Sequence, residues 1–141
     1  MGYEAKTQPT TEDAHAFIGR IENESKREDS ATLLRLMQTA SGSAPVMWGE
    51  AIVGFGRARI DYADGSQGES LLIGFAPRQR EFALYLDCGL EDAAAALRGK
   101  GKFKEGKGCL YLKRLADVQL PALEKALDAA VRSQAERRLP D

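Results

Sequence analysis

Apolar side chains recur at three- and four-residue spacing near both ends of the chain, and this spacing predicts amphipathic helices there. Polar caps and Gly or Pro stops set the expected ends. Residues 24–27, between the first two helices, are predicted to form a charged linker. The predicted helices run from Thr10 or Thr11 to about Asn23, from Asp29 or Ser30 to the Ser41-Gly42-Ser43 segment, from Glu91 to Leu97, and from Pro121 onward.

The middle of the chain instead alternates apolar and polar positions with a period of two, which predicts strands. Gly54 and Gly56 interrupt the first apolar run, and this indicates a bulge or a close approach of another part of the chain. Asp64-Gly65 predicts the turn of a hairpin. The predicted strands cover residues 52–55, 57–62, 71–75, 82–86 and 109–112.

This order of elements, with strands grouped together and helices towards the ends, predicts an α+β fold. We expect a largely antiparallel five-stranded sheet with helices packed on one face. A length of 141 residues suits one domain with its own core. The polar start of the chain, which contains Pro9, predicts a flexible segment over residues 1–9 and a single domain over residues 10–138.

Charge and hydropathy exclude several partner classes. Lys and Arg number 20 against 21 Asp and Glu, which does not favour a nucleic-acid coat or a membrane surface. No apolar run approaches the roughly 18 residues of a membrane span, and the N-terminus lacks the apolar stretch of a secretory signal. A cytoplasmic protein is therefore predicted, with a small anion or another protein as its partner and with a monomer or homodimer as its assembly.

The residue types that usually carry chemistry are sparse. Cys88 and Cys109 are interpreted as small, half-buried apolar residues, and the alternative is a redox pair on neighbouring strands. His15 is the single histidine and is expected on a solvated helix surface, so a multi-histidine metal site is excluded. We expect no cofactor, no metal and no catalytic residue.

A basic loop is the sharpest electrostatic feature. Residues 99–108 read GKGKFKEGKG, and Gly101, Gly106 and Lys107 match part of a nucleotide-binding loop. The match fails on context, because a strand follows instead of a helix and no hydroxyl residue follows the lysine. Two interpretations stay open: a weak anion site or a solvated connection. The lysines of the candidate site are Lys100, Lys102, Lys104 and Lys107.

Aromatic and arginine residues form a second candidate site. Trp48 is interpreted either as a buried plug at the junction of helices and sheet or as the wall of a cleft. Arg57 and Arg59 share one strand face, and Tyr85 is expected on the same uncovered face, with Tyr111 as a further neighbour. Such a mixture suits a planar anion or a peptide, whereas the alternative is that the arginines keep the face soluble.

Three stretches resemble the YdhG-like family of bacterial domains, whose functions are not established. They are residues 47–56 (MWGEAIVGFG), 74–78 (GFAPR) and 106–113 (GKGCLYLK). Gly108 stands where a serine is common in the family. The resemblance implies a YdhG-like α+β fold. Some members are described as similar to frataxin, an iron-delivery protein with an acidic helical ridge.

The leading hypothesis is a non-enzymatic binding or interaction module that uses the uncovered sheet face and the lysine loop. The alternative is a frataxin-like iron-binding chaperone, and catalysis ranks third. The acidic residues of such an iron site would lie among positive charges from Arg20, Lys26 and Arg27. They are Glu22, Glu24, Glu28 and Asp29.

Overall fold

The structure, a computed structural model, describes residues 8–140. Over this range it forms an α+β fold with four α-helices and a seven-stranded antiparallel sheet. The helices are α1 Ala14–Gly19, α2 Glu24–Ser41, α3 Leu90–Leu97 and α4 Leu120–Arg132. The strands are β1 Pro45–Trp48, β2 Ile52–Asp61, β3 Gln67–Pro77, β4 Phe82–Tyr85, β5 Lys104–Glu105, β6 Cys109–Leu112 and β7 Arg138–Leu139.

The strands lie in the order β1-β2-β3-β4-β6-β5, and β7 pairs with β2 outside this path. The prediction of an antiparallel α+β fold is confirmed, but the prediction of five strands is wrong. The predicted strands 52–55 and 57–62 are one strand, β2, whose register against β3 runs without a slip from Val53↔Phe75 to Asp61↔Gln67. Three short strands, β1, β5 and β7, were not predicted.

Gly54 does not break β2. Its lack of a side chain leaves space for the ring of Trp48. A Cβ atom built on Gly54 would lie 2.4 Å from Cδ1 of Trp48, which packs onto it from β1. Gly56 has a φ of +73°, a left-handed conformation that suits glycine, and lies beside Leu72. The close approach that the glycines indicated is therefore found at Gly54. At Gly56 the pairing of β2 with β3 is interrupted between Phe55↔Ile73 and Arg57↔Leu71, although the offset of the two strands does not change.

Both N-terminal helices begin elsewhere than predicted. Asp13, not Thr10 or Thr11, caps α1, since its carboxylate accepts hydrogen bonds from the amides of His15 and Ala16. Asn23 caps α2 through the amide of Lys26, so the predicted linker 24–27 is helical. Asp29 lies inside α2 and accepts a hydrogen bond from the Leu115 amide at 3.2 Å.

The helices bury one face of the sheet. The side chains of Phe55, Phe75 and Phe82 are fully buried in the core that α2 and α4 cover. Opposite them, the sheet presents what we call the open face, which alternates with the core positions along β1, β4 and β6. In β3 the alternation is interrupted, because the neighbours Leu72 and Ile73 both belong to the core. Members of the open face include Trp48, Leu71, Ala83, Tyr85 and Tyr111.

A segment before α1 pairs with the β1 edge of the sheet. The Thr10 amide donates to the Met47 carbonyl at 2.7 Å, and the Gly49 amide donates to the Gln8 carbonyl at 2.9 Å. Residues 8–10 therefore pair with β1, while the rest of the predicted flexible segment, residues 1–7, lies outside the described residues.

Within the described range, each helix is too short or too polar to pass through a bilayer.

Candidate functional site

The lysine-rich segment 99–108 is held by backbone hydrogen bonds. The amide of Lys102 donates to the Asp117 carbonyl at 2.9 Å, and the amide of Gly106 donates to the Cys109 carbonyl at 2.8 Å. The amide of Lys100 donates to the Leu97 carbonyl, also at 2.9 Å. These three N–H groups are used inside the chain, so they do not form a backbone cradle for an anion.

Close packing explains two of the loop's glycines. A Cβ atom on Gly101 would lie 2.3 Å from the Asp117 carbonyl oxygen, and one on Gly106 would lie 2.7 Å from Cε2 of Tyr111. Glycine is needed at both positions because the neighbouring chain comes so near. The pattern that resembles a phosphate loop is thus a result of tight packing between β5, β6 and the segment before α4.

Two of the four predicted lysines line a cleft of about 410 Å³ on the open face at the β5–β6 edge. We call this cleft the basic cleft. Lys104 pairs in register with Tyr111, which places both side chains on the same sheet face. Lys100 and Lys107 are exposed and lie outside the cleft. The cleft is lined by Glu81, Lys102, Phe103, Lys104, Tyr111, Lys113, Arg114 and Asp117.

Charge in the basic cleft is only partly compensated. Arg114 forms an ion pair with Asp117 at 3.5 Å. Among residues 8–140, Lys102, Lys104 and Lys113 have no carboxylate partner within ion-pair distance. The cleft therefore combines three unpaired ammonium groups with one unpaired carboxylate, that of Glu81.

A guanidinium and two phenols border the basic cleft. Arg78 donates a hydrogen bond from Nη2 to the Tyr85 hydroxyl at 2.9 Å, and its guanidinium lies 5.8 Å from the centre of the Tyr111 ring. The bond to Tyr85 raises the pKa of Arg78 above its usual range. Like the three lysines, Arg78 has no carboxylate partner in the described part of the chain.

The turn that carries Arg78 is fixed from the helical side of the molecule. The ammonium group of Lys26 on α2 donates to the carbonyl of Arg78 and to that of Gln79, the second at 2.8 Å. It also lies 5.9 Å from the centre of the Phe82 ring. These contacts hold the β3–β4 turn and so position the guanidinium over the open face.

The thiol of Cys109, which interacts with Tyr111, is not activated as a nucleophile. Burial raises the pKa of Cys109, and the Cys109 thiol in turn is the main cause that raises the pKa of Tyr111. Both groups are therefore neutral at neutral pH. Cys109 and Cys88 are both free, and Cys88 is exposed in a short 3₁₀ turn, so the prediction that both cysteines are half-buried is wrong for Cys88.

The predicted aromatic and arginine residues lie in a separate place. Trp48, Arg57 and Arg59 line a shallow cleft of about 530 Å³ near β1, which we call the tryptophan cleft. Arg57 pairs with Glu69 and donates to the Pro140 carbonyl at 2.6 Å, and Arg59 pairs with Asp61 at 3.3 Å. Its other lining residues are Gln8, Pro9, Gln67, Gly68, Glu69 and Leu139.

The structure thus divides the predicted site residues between two clefts. Trp48 is only 3% exposed, so its ring closes the tryptophan cleft more as a packed floor than as a free wall. Tyr85 is not beside Arg57 and Arg59 as expected; it bonds to Arg78 at the other end of the open face. Both arginines of the tryptophan cleft are paired with acids, whereas the lysines of the basic cleft are not.

Sequence reasoning missed Arg78 and Lys113 as site residues. Lys113 stands two positions after Tyr111, and the period of a strand would have placed both on the same face. Arg78 gave no such signal, because it lies in a turn whose direction depends on the contact with Lys26.

Potential metal ligands do not cluster in the described part of the chain. Across residues 8–140, no three His, Cys, Asp or Glu side chains come together in a way that could hold a metal ion. The acids of the hypothetical iron site lie on α2 and in the segment between α1 and α2, and three of them, Glu22, Glu24 and Glu28, are exposed.

Comparisons with protein-family models, with curated proteins and with solved structures return no match to this chain. What the chain does is therefore inferred from its own residues.

Proposed function

We propose that this chain is a non-enzymatic module that binds a small anion in the basic cleft. The observation that carries the proposal is the convergence of Lys102, Lys104 and Lys113 around Tyr111 without a carboxylate partner. Unpaired cations held close together in a concave surface attract anions more strongly than the same charges spread over a flat one. The net charge of −1 means that this attraction is local.

Arg78 adds a second kind of anion donor at the border of the cleft. Its planar guanidinium can bind two oxygens of a phosphate or carboxylate at once, which a lysine cannot do. The hydrogen bond to Tyr85 uses one of its N–H groups and leaves others for a ligand. A ligand that approaches the Tyr111 ring thus meets both ammonium and guanidinium donors.

The fold that carries the cleft is proposed to be YdhG-like, on the three stretches that resemble that family. One of them, residues 106–113, contributes Tyr111 and Lys113 to the cleft. A cytoplasmic location is part of the same proposal, because the anions that such a site would take are abundant there. The rest of the proposal does not depend on the family.

The test is a calorimetric titration with phosphate and pyrophosphate at low ionic strength, using the full chain. The variant K102Q/K104Q/K113Q should lose at least about tenfold in affinity, since each ammonium contributes through close contact. Binding should also weaken steeply between about 0.01 and 0.15 M salt, as the screening length shortens from about 30 to 8 Å.

The matched control removes three lysines elsewhere, as K100Q/K107Q/K125Q, with the same change of net charge. It should bind as the unmodified chain does, and both variants should melt within a few degrees of it because these side chains are solvated. An equal loss in both variants would mean that overall charge, not the cleft, attracts the anion. The absence of any binding at low salt would refute the proposed function itself.

A further inference from the structure

We infer that the anion of the basic cleft is a nucleoside phosphate, a phosphate joined through a sugar to a flat ring. This inference rests on the proposed function and names the class of ligand for the same site. Three features of the cleft carry it: its volume, the planar groups at its border and the carboxylate among its lysines.

The volume exceeds the needs of a simple ion. The basic cleft encloses about 410 Å³, which lies within the roughly 300–1,000 Å³ typical of pockets for small organic molecules. An inorganic phosphate would touch only part of the lining at any time. A ligand that contacts the lysines and also reaches Tyr111 must carry a further group beside its anionic one.

The planar groups favour a ring as that further group. Tyr111 and Phe103 are partly buried members of the lining, and the Arg78 guanidinium lies over the Tyr111 ring. Phenol, phenyl and guanidinium planes all stack on flat aromatic ligands. Tyr111 is packed against Gly106 along one ring edge, so its orientation is already set before a ligand arrives.

The carboxylate of Glu81 favours a sugar as the group that joins the phosphate to the ring. Glu81 lines the cleft, and its side-chain carboxylate has no hydrogen-bond or ion-pair partner among the described residues. An ionised carboxylate only accepts hydrogen bonds and repels a phosphate, so a plain anion gains nothing from it. Neighbouring hydroxyl groups of a ribose, in contrast, can donate to both carboxylate oxygens while the phosphate contacts the lysines.

The test compares four probes by calorimetry with the full chain at low salt: inorganic phosphate, ribose 5-phosphate, adenosine monophosphate and its 2′-deoxy form. We expect the ring to raise affinity by about tenfold over ribose phosphate, as stacking on one aromatic side chain does. Loss of the 2′-hydroxyl should weaken binding several-fold.

Two conservative variants test which residue causes each of these gains in affinity. Arg78→Lys keeps the charge but removes the plane, so it should reduce the preference for adenosine monophosphate over ribose phosphate. Glu81→Gln should remove the preference for ribose over deoxyribose and strengthen binding of inorganic phosphate, because a repelling charge is gone. Tyr111→Leu would test the ring directly, and if it lowers the melting temperature, Arg78→Lys carries the test alone.

The outcomes separate the inference from the proposed function. If all four probes bind equally, the nucleoside inference is overturned and the anion module stands. If no phosphate binds, both fail. If a single-stranded oligonucleotide binds far more tightly than the mononucleotide, the site is one for nucleic acid and the inference is likewise overturned.

Discussion

Cys88 and Cys109, the two thiols of the chain, differ in both exposure and surroundings. Cys88 lies at the surface between β4 and α3, while Cys109 is 8% exposed on β6, where burial raises its pKa. The thiolate is the reactive form, so a buried thiol with a raised pKa reacts slowly for two reasons.

We therefore expect a disulfide reagent to modify one thiol per folded chain quickly and the other at least about tenfold more slowly. Absorbance of the released thiolate at pH 7.5 would measure both phases. Cys88→Ser should remove the fast phase alone, and Cys109→Ser should remove the slow one. Two fast phases would contradict the buried position of Cys109.

At the scale of elements, the pairing of β1 with β2 depends on Gly54, which has no side chain. The Trp48 ring lies directly over Gly54, where a Cβ atom would come within 2.4 Å of Cδ1 and 2.7 Å of Nε1. Because Trp48 is nearly fully buried, its ring has little room to move aside. The sheet edge and the tryptophan cleft thus share a single point of contact.

Gly54→Ala should lower the free energy of unfolding by about 1–3 kcal/mol, the usual cost of an overpacked site. Urea denaturation followed by circular dichroism would measure it. Gly19→Ala is the control, because its added Cβ meets no atom within 4 Å in α1. That variant should be unchanged or more stable by up to about 1 kcal/mol, since alanine favours a helix. Equal effects would place Trp48 elsewhere.

Sequence patterns predicted those elements that carry their own periodic signal. Helix α3 and strand β6 lie within a residue of the predicted bounds. Leu97 and Gly99 mark the end of α3, and the turn at Gly108 marks the start of β6. The start of α2 was missed because the residues from Glu24 to Asp29 are all polar, so apolar spacing could not extend the helix backwards. Two-residue strands such as β5 and β7 give no periodicity at all.

The candidate site was predictable in part for the same physical reason. The density of lysines marked all four, but only the folded chain decides that Lys102 and Lys104, and not the other two, line the basic cleft. Lys104 is placed by its pairing with Tyr111, and Lys102 by the hydrogen bond from its amide to the Asp117 carbonyl. The ion pair of Arg57 with Glu69 likewise depends on the β2–β3 register, which places Glu69 opposite Arg59 and diagonal to Arg57.

At the scale of the whole molecule, the sheet is buried on both faces near β1. The helices cover one face, and Trp48 with Leu71 forms a smaller apolar layer on the other. An indole ring that is 3% exposed contributes a large apolar area to stability. The open face is therefore a structural layer at one end and a polar, charged surface at the other.

Trp48→Ala should lower the free energy of unfolding by about 3–5 kcal/mol, as loss of a buried aromatic ring does. This is a large share of the roughly 5–15 kcal/mol that holds a domain of this kind together. Guanidinium denaturation would measure it, and Trp48→Phe should recover much of the loss. A change below about 1 kcal/mol would mean that the ring is not part of the folded layer.

Because Trp48 is the only tryptophan, the molecule contains a natural optical reporter at one end of the sheet. Trp48 on β1 and Tyr111 on β6 are four strand spacings apart, roughly 19 Å at about 4.8 Å per strand. Quenching of the indole emission by a ligand would therefore indicate contact at the tryptophan cleft. A ligand that gives heat on binding but leaves the emission unchanged would be bound far from it, as a ligand in the basic cleft must be.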